Sequence, residues 1–257
     1  MNKILVTGCA GFIGFHLTLQ LLKNNYSIIG LDNMNNYYST KLKKDRLTIL
    51  KKYKNFLFIK NDLSNLNNVI NIIKKNKIKV IVHLAAQAGV RLSIKNPQKY
   101  FSSNIVGFYN ILESSRLTKI KKLIFASSSS VYGDKENVKI TENNSTNPIQ
   151  FYATTKVCNE EMAKVYSKIY KMKIIGLRFF TVYGPWGRPD MAYYSFGVKL
   201  LKNKSLDIFN NGQHKRDFTF IDDVIKALEL IIKKKVRNKK SDYEIYNIAN
   251  SHSNKLL

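Results

Sequence analysis

Acidic residues are scarce in this chain. Its 257 residues carry 17 Asp and Glu against 43 Lys and Arg, a formal net charge of +26. An excess of that size suits proteins that meet polyanions. Its distribution argues against nucleic acid as the partner. The lysines are spread over turns and helix surfaces among many asparagines and isoleucines, which reads as a general compositional bias. The densest run, Lys233 to Lys240, lies between a helix and a strand and reads as a solvated loop. Cysteine is also scarce. Cys9 and Cys158 stand alone, neither in a CxxC, so a disulfide framework is excluded, no metal site is expected, and a reducing, cytoplasmic compartment fits. No run of about 18 apolar residues occurs, which excludes a membrane helix. The N-terminus enters a strand directly, so no signal peptide is expected. Neither an internal repeat nor a linker is visible.

What is present is an alternation of short apolar strands and amphipathic helices. Strands are expected over residues 3–7, 27–31, 56–60, 80–84, 122–126, 173–178, 206–209 and 243–248. Helices are expected over 15–24, 39–53, from about 65, over 97–117, from Tyr152, over 192–203 and up to 235. That order predicts an α/β fold, a doubly wound Rossmann-type parallel sheet covered on both faces. Residues 1–191 are expected to form the main domain. Residues 192–257 are expected to form a smaller lobe over the strand ends, interleaved with the first.

The first strand runs into Gly8, Gly11, Phe12, Ile13 and Gly14. Glycines at 8, 11 and 14 allow a tight turn, close approach to a pyrophosphate, and close helix–strand packing. The helix that follows offers its unpaired N–H groups to an anion. Asp32 ends the second strand, 18 positions beyond Gly14. An acid there bonds ribose hydroxyls and repels a 2′-phosphate, which argues NAD over NADP; the alternative is a turn residue. Asn33 follows it. Asp62, beside Leu63, is read as an adenine contact or as the cap of the next helix. Leu84, Ala85, Ala86 and Gln87 leave the fourth strand, where small residues let backbone lie against a cofactor. Asn104 lies in a helix and needs buried partners; a structural bond to a nearby loop is the alternative to a cofactor role.

Tyr152 and Lys156 stand four apart at the start of a helix, on one face. A tyrosine of ordinary pKa is a poor base, and an ammonium beside it lowers that pKa. Such a pair removes a proton from a hydroxyl while a nicotinamide takes the hydride. The spacing alone also occurs by chance. Ser128, Ser129 and Ser130 leave the fifth strand at the end where open α/β sheets bind ligands. The sixth strand exits through Phe179 and Thr181 into Gly184-Pro185-Trp186-Gly187-Arg188-Pro189-Asp190-Met191, a shaped loop in which Arg188 is a candidate anion clamp.

Together these stretches resemble the extended short-chain dehydrogenase/reductase family, in particular its UDP-glucuronate 4-epimerases. The carrying residues are the glycine turn with its strand, His83 to Arg91, Ala126 to Gly133, Tyr152 to Lys156 and, most specifically, Leu177 to Met191. The resemblance implies Ser128, Tyr152 and Lys156 as the catalytic set, NAD as the cofactor, and Phe179 near the nicotinamide or else plain core. It implies a UDP-sugar substrate, held in part by Arg216, whose alternative is a surface ion pair with Asp217. Arg91 is either at the pocket edge or at the surface. Sister dehydratases carry an Asp-Glu pair where Ser129 and Ser130 stand, and sister decarboxylases a glutamate at the position of Ser130. Relatives acting on neutral hexoses have asparagine at the position of Thr181 and lack the GRPD segment. A uronate is therefore implied, its carboxylate held by Ser129, Ser130, Thr181 and Arg188. The implied assembly is a homodimer through the helices that begin at Pro97 and Tyr152. Family members run past residue 257, so the substrate lobe is expected to be incomplete. The other readings are a UDP-glucose/galactose epimerase, and an inactive NAD-binding protein with a basic surface.

Overall fold

The computed structural model describes residues 3–134, 140–206, 215–234 and 242–255. Seven strands form one parallel sheet in the order β3-β2-β1-β4-β5-β6-β9. They are β1 (Lys3–Thr7), β2 (Ile28–Asp32), β3 (Phe56–Lys60), β4 (Ile78–His83), β5 (Lys122–Ser128), β6 (Lys173–Phe179) and β9 (Asp242–Ile248). The order reverses between β1 and β4, and the crevice beyond their C-terminal ends is where such sheets bind ligands. A small second sheet, β10-β8-β7, is built from β7 (Thr181–Tyr183), β8 (Lys215–Phe220) and β10 (Ser253–Lys255).

Strand alternation places apolar side chains on both faces of the sheet. Ile4, Val6, Ile28 and Val82 face α1 (Phe12–Lys23), α2 (Thr40–Leu50) and α9 (Ile221–Lys233). Leu5, Ile29 and Ile81 face α3 (Leu66–Asn76), α6 (Gly107–Leu117) and α7 (Phe151–Tyr170). Among the described residues there are three further helices, α4 (Val90–Lys95), α5 (Pro97–Tyr100) and α8 (Ala192–Leu201). Among the described residues, no helix is long and apolar enough to cross a membrane.

Local chemistry sets the element ends. α3 begins at Leu66 because the Asn65 side chain accepts from Asn68 N at 3.0 Å, and it stops at Lys77, which turns left-handed at φ 54°. α9 ends against a buried lysine. Lys122 Nζ donates to the carbonyls of Ile231 (3.2 Å), Ile232 (2.9 Å) and Lys234, a cation at the negative end of the helix dipole.

Several boundaries differ from the sequence reading. α1 starts at Phe12 rather than Phe15, because Gly11 is its extended N-cap and bonds back to Gly8 O at 2.9 Å. β5 reaches Ser128 because β6 continues beside it, pairing Ser127 with Arg178 and Ser128 with Phe179. The helix expected over 97–117 is α5, a π-helical turn at Phe101–Val106, and α6. Asn104 sits in that wide turn. Of the strand expected at 206–209 only Leu206 is among the described residues, and of the basic run only Lys233 and Lys234 are. The chain after residue 192 serves both sheets. α9 packs on α1, β9 extends the main sheet beside β6, and β8 and β10 join β7.

Candidate active site

A cavity of about 1020 Å³ opens over the C-terminal strand ends, from the glycine turn past Tyr152 to Arg188 and Arg216. The turn that forms its floor is tight. Gly8 has φ 73°, and its N–H donates to Leu31 O at 2.7 Å. A Cβ on Gly14 would stand 2.0 Å from Gly8 O, so no side chain fits there. The α1 N-terminus has no side-chain cap and no acid in its first turn, which leaves the N–H groups of Phe12, Ile13 and Gly14 for an anion.

Asp32 is buried at the end of β2, accepting from Ala10 N (3.2 Å) and Met34 N (2.8 Å). Each oxygen keeps acceptor capacity toward the cavity. Asn33 Nδ2 donates to Asp62 Oδ2 at 2.8 Å, and Ser64 N donates to Asp62 Oδ1 at 2.9 Å. These bonds hold the Asp62 carboxyl below its usual range although burial opposes them. Asp62 therefore braces Asn33, and Asn65, not Asp62, caps α3. Leu63, Leu84, Ala85, Ala86, Gln87 and Phe179 all line the cavity.

Asn104 does not line it. Its Oδ1 accepts from Gln87 N at 2.8 Å, and its Nδ2 donates to Gln87 O and Thr155 Oγ1, both at 3.1 Å. The amide ties the loop after β4 to α7. It reaches a cofactor only through Gln87.

Ser128, Tyr152 and Lys156 all line the cavity. Ser128 Oγ accepts from Ser130 N (3.2 Å) and Ser130 Oγ (2.9 Å), so its own proton is left to donate elsewhere. Ser130 thus orients Ser128 and is not among the lining residues, unlike the substrate contact read from the sequence; Ser129 is among them. Lys156 is buried, donates to Ala126 O at 2.9 Å, and lies 5.9 Å from the Tyr152 ring centroid. Burial pushes its ammonium down to about 8, against the pull of Glu160.

The sequence argument gave the lowering of the Tyr152 pKa to Lys156. In the chain by itself, burial opposes that lowering. Burial pushes the Tyr152 phenol above its ordinary value, with the Ser128 hydroxyl and the Arg188 charge pulling the other way. Burial outweighs those aids in the chain by itself, and the Lys156 ammonium is engaged with a carbonyl. The Tyr100 ring packs edge-on to Tyr152, with centroids 6.1 Å apart.

At the far end Thr181 and Arg188 line the cavity. Arg188 gives Nε (3.1 Å) and Nη2 (2.6 Å) to Asp190, whose Oδ2 also accepts from Tyr37 Oη at 2.8 Å. Arg216 lies on β8 at the cavity edge with Nη1 on Lys215 O at 2.8 Å. Among the described residues it makes no ion pair with Asp217, which instead accepts from Thr219 Oγ1, Asn250 N and His252 N. Arg91 falls within α4, and its side chain lies outside the described structure. No group of metal-binding side chains occurs among the described residues.

Sequence reasoning did not single out Tyr37, Lys43, Arg46 or the pairing of Asp190. Arg46 is fully buried, donating to Ala10 O (2.8 Å), Tyr38 Oη (2.8 Å), Trp186 O and Gly187 O (3.4 Å). It ties the glycine turn to the loop that carries Arg188. Lys43 Nζ donates to Asn35 O and Oδ1, both at 2.9 Å. In sequence they are ordinary members of a lysine-rich helix.

A family model described as NAD dependent epimerase/dehydratase matches residues 4–249. The chain belongs to that family. A protein of Methanocaldococcus jannaschii, uncharacterized protein MJ1055, is 49% identical over 259 residues, covering 100% of this chain and 78% of that protein. The crystal structure of UDP-glucuronic acid 4-epimerase from Bacillus cereus in complex with UDP-glucuronic acid and NAD superposes with a TM-score of 0.92. That enzyme is 38% identical, with 99% of this chain and 79% of that one covered. A UDP-glucose 4-epimerase from Thermotoga maritima, with UDP-glucose, gives a TM-score of 0.87 at 30% identity, with 99% and 79% covered. The epimerase/dehydratase family is NAD-dependent, and the cavity fits a dinucleotide. A floor that admits no Cβ, an uncapped helix N-terminus and a strand-end acid with open acceptor sites all line it.

Proposed function

We propose that this chain interconverts UDP-glucuronate and UDP-galacturonate at C4, using NAD held by Gly8, Gly11, Phe12, Ile13, Gly14, Asp32 and Asn33. The observation that carries the reading is one cavity that holds Ser128, Tyr152 and Lys156 between the dinucleotide cradle and the Thr181–Arg188 end. Bound NAD supplies a reversible acceptor for the C4 hydride, is unchanged after a full cycle, and adds positive charge that helps the buried phenol ionise.

The protein's part is proton handling and orientation. Tyr152 as phenolate takes the O4 proton and returns it after the 4-keto sugar has turned over. Ser128, with its lone pairs occupied by Ser130, donates to the sugar oxygen and fixes it beside Tyr152. Lys156 keeps a positive field under the phenol from a fixed position. Phe179 closes the floor. Ser129, Thr181 and Arg188 meet the C6 carboxylate, and Arg216 meets the diphosphate. The 38% identical UDP-glucuronic acid 4-epimerase supports the uronate. The neutral-sugar neighbour supports a second reading, a UDP-glucose epimerase, at lower identity.

The same reading makes the protein a cytoplasmic homodimer. Phe101, Tyr109, Val165 and Ile169 are exposed apolar residues on the helical stretch from Pro97 and on α7, and they are suited to a partner copy.

The test is purified protein given UDP-glucuronate with no added NAD. UDP-galacturonate without CO₂ is expected. UDP-pentose as the main product would place the protein among decarboxylases, and a preference for UDP-glucose would favour the second reading.

A further inference from the structure

Arg46 is a buried cation held by neutral groups. Among the described residues its acceptors are three backbone carbonyls and a phenol, and its Nε has no partner. A buried guanidinium with no carboxylate on it is costly to keep. Its position is set from two sides. Nη1 donates to Ala10 O at 2.8 Å, and the N–H of the same residue donates to Asp32 Oδ2 at 3.2 Å, so the glycine turn fixes one end. Nη2 donates to the carbonyls of Trp186 and Gly187, the two residues ahead of Arg188. The group is planar and rigid, so a shift at either end is felt at the other. The loop needs that hold. Trp186 stands at φ 59°, a left-handed backbone that is strained for so bulky a side chain. Its ring packs on Phe15 with centroids 5.6 Å apart, and His16 Nε2 lies 2.9 Å from Pro185 O. Phe15 and His16 both belong to α1, which leaves the same turn.

We infer that Arg46 is a positioning residue that couples occupancy of the dinucleotide site to the shape of the Arg188 loop. The inference rests on the NAD half of the proposed function and needs no particular sugar. Arg46 is not among the residues lining the cavity, while the turn it grips does line it. The N–H groups of Phe12, Ile13 and Gly14, which would receive the diphosphate, follow Ala10 in that turn. Negative charge held there offsets the cost of the buried cation and fixes the carbonyl on which Nη1 rests. Both effects favour the arrangement in which Nη2 keeps Trp186 left-handed and Arg188 at the cavity wall. By linkage, whatever stabilises the Arg188 loop tightens NAD in turn, a sugar nucleotide held by Arg188 included.

The chain supplies its own reporter. Trp186 is its one tryptophan, 39% exposed and not among the lining residues, so bound NAD does not shield it directly. Acrylamide quenching of its fluorescence is measured with and without saturating NAD in wild type, Arg46→Lys and Arg46→Gln. Lysine keeps the charge but cannot bridge both ends; glutamine keeps one donor group and no charge. In wild type, NAD is expected to lower the quenching slope about twofold or more. Both variants are expected to bind NAD about tenfold more weakly, read by calorimetry, and to keep the NAD-free slope when saturated. A residue that merely stabilised the fold would leave the response to NAD intact. A wild-type slope that NAD does not change overturns the inference, and so does a full response in a variant that binds NAD. If neither variant folds, the wild-type comparison decides alone. No arm needs turnover. A protein that gives the response but does not epimerise UDP-glucuronate overturns the proposed function and leaves the inference standing, whereas one that binds no NAD overturns both.

Discussion

Lys156 points its ammonium at the carbonyl of Ala126, 2.9 Å away, and stands 5.9 Å from the centre of the Tyr152 ring. A fixed cation near a phenol, rather than one bonded to it, acts by its field. In a buried position that field is strong, and so is the cost of keeping the charge there.

That cost has a sign that can be measured. Burial brings Lys156 to about 8 in the folded chain from an ordinary 10.5. Between those values the unfolded chain binds the proton and the folded one does not, so this group's contribution to stability rises with pH across the window and its full penalty applies below it. Lys156→Met is therefore expected to stabilise the cofactor-free protein by up to about 3 kcal/mol at neutral pH while abolishing turnover. The advantage over wild type should shrink toward zero as the pH passes the ordinary lysine value. Urea unfolding of both proteins across this range is the measurement. A variant less stable than wild type at neutral pH would contradict the account.

Asp32 is expected to set cofactor choice. Asp32→Ala removes a carboxyl acceptor and leaves the N–H groups of Ala10 and Met34 without their partner. A loss of about 1.5–3 kcal/mol in NAD binding is expected, roughly tenfold to a hundredfold in affinity. Discrimination against NADP should fall at the same time. Calorimetric titration with both dinucleotides reads it, and unchanged discrimination would remove Asp32 from the ribose.

Behind Lys156 lies a closed polar network. Arg178 donates from Nε (2.9 Å) and Nη2 (2.7 Å) to Glu160, which also accepts from Ser127 Oγ at 2.5 Å. Both charged side chains are about 6% exposed, so neither has water to fall back on. Glu160→Gln leaves Arg178 as an uncompensated buried cation. A loss of about 3–5 kcal/mol in unfolding free energy is expected. A loss under roughly 1 kcal/mol, the range of exposed pairs, would show that the network relaxes and admits water.

The sequence made legible whatever is written locally. The alternation of strands and helices gave the parallel sheet, because the apolar runs of the central strands are buried on both faces. The glycine turn and Asp32 were readable because backbone sterics and strand ends leave few options at those positions. Partners brought together by the fold were not readable. Asn104 is an isolated polar residue in a helix; only the loop after β4 shows what its amide is for. Arg46 looks like surface in a lysine-rich helix, yet is buried because three carbonyls from distant loops converge on it. Arg188 and Asp190 stand two apart in the motif already singled out, but nothing in that spacing shows that one clamps the other or that Tyr37 joins them. The weight of burial on Tyr152 was not readable for the same reason. Four-residue spacing shows that Lys156 is near, not that burial outweighs it.

The whole account depends on a phenol at position 152 that exchanges a proton with O4 while the cofactor is regenerated in place. The most direct measurement is the rate of UDP-glucuronate to UDP-galacturonate conversion by Tyr152→Phe, with bound NAD quantified in the same preparation. The account predicts NAD retained and turnover lowered by at least about 10²-fold, the usual weight of a positioned general base. Retained NAD with an undiminished rate would contradict it.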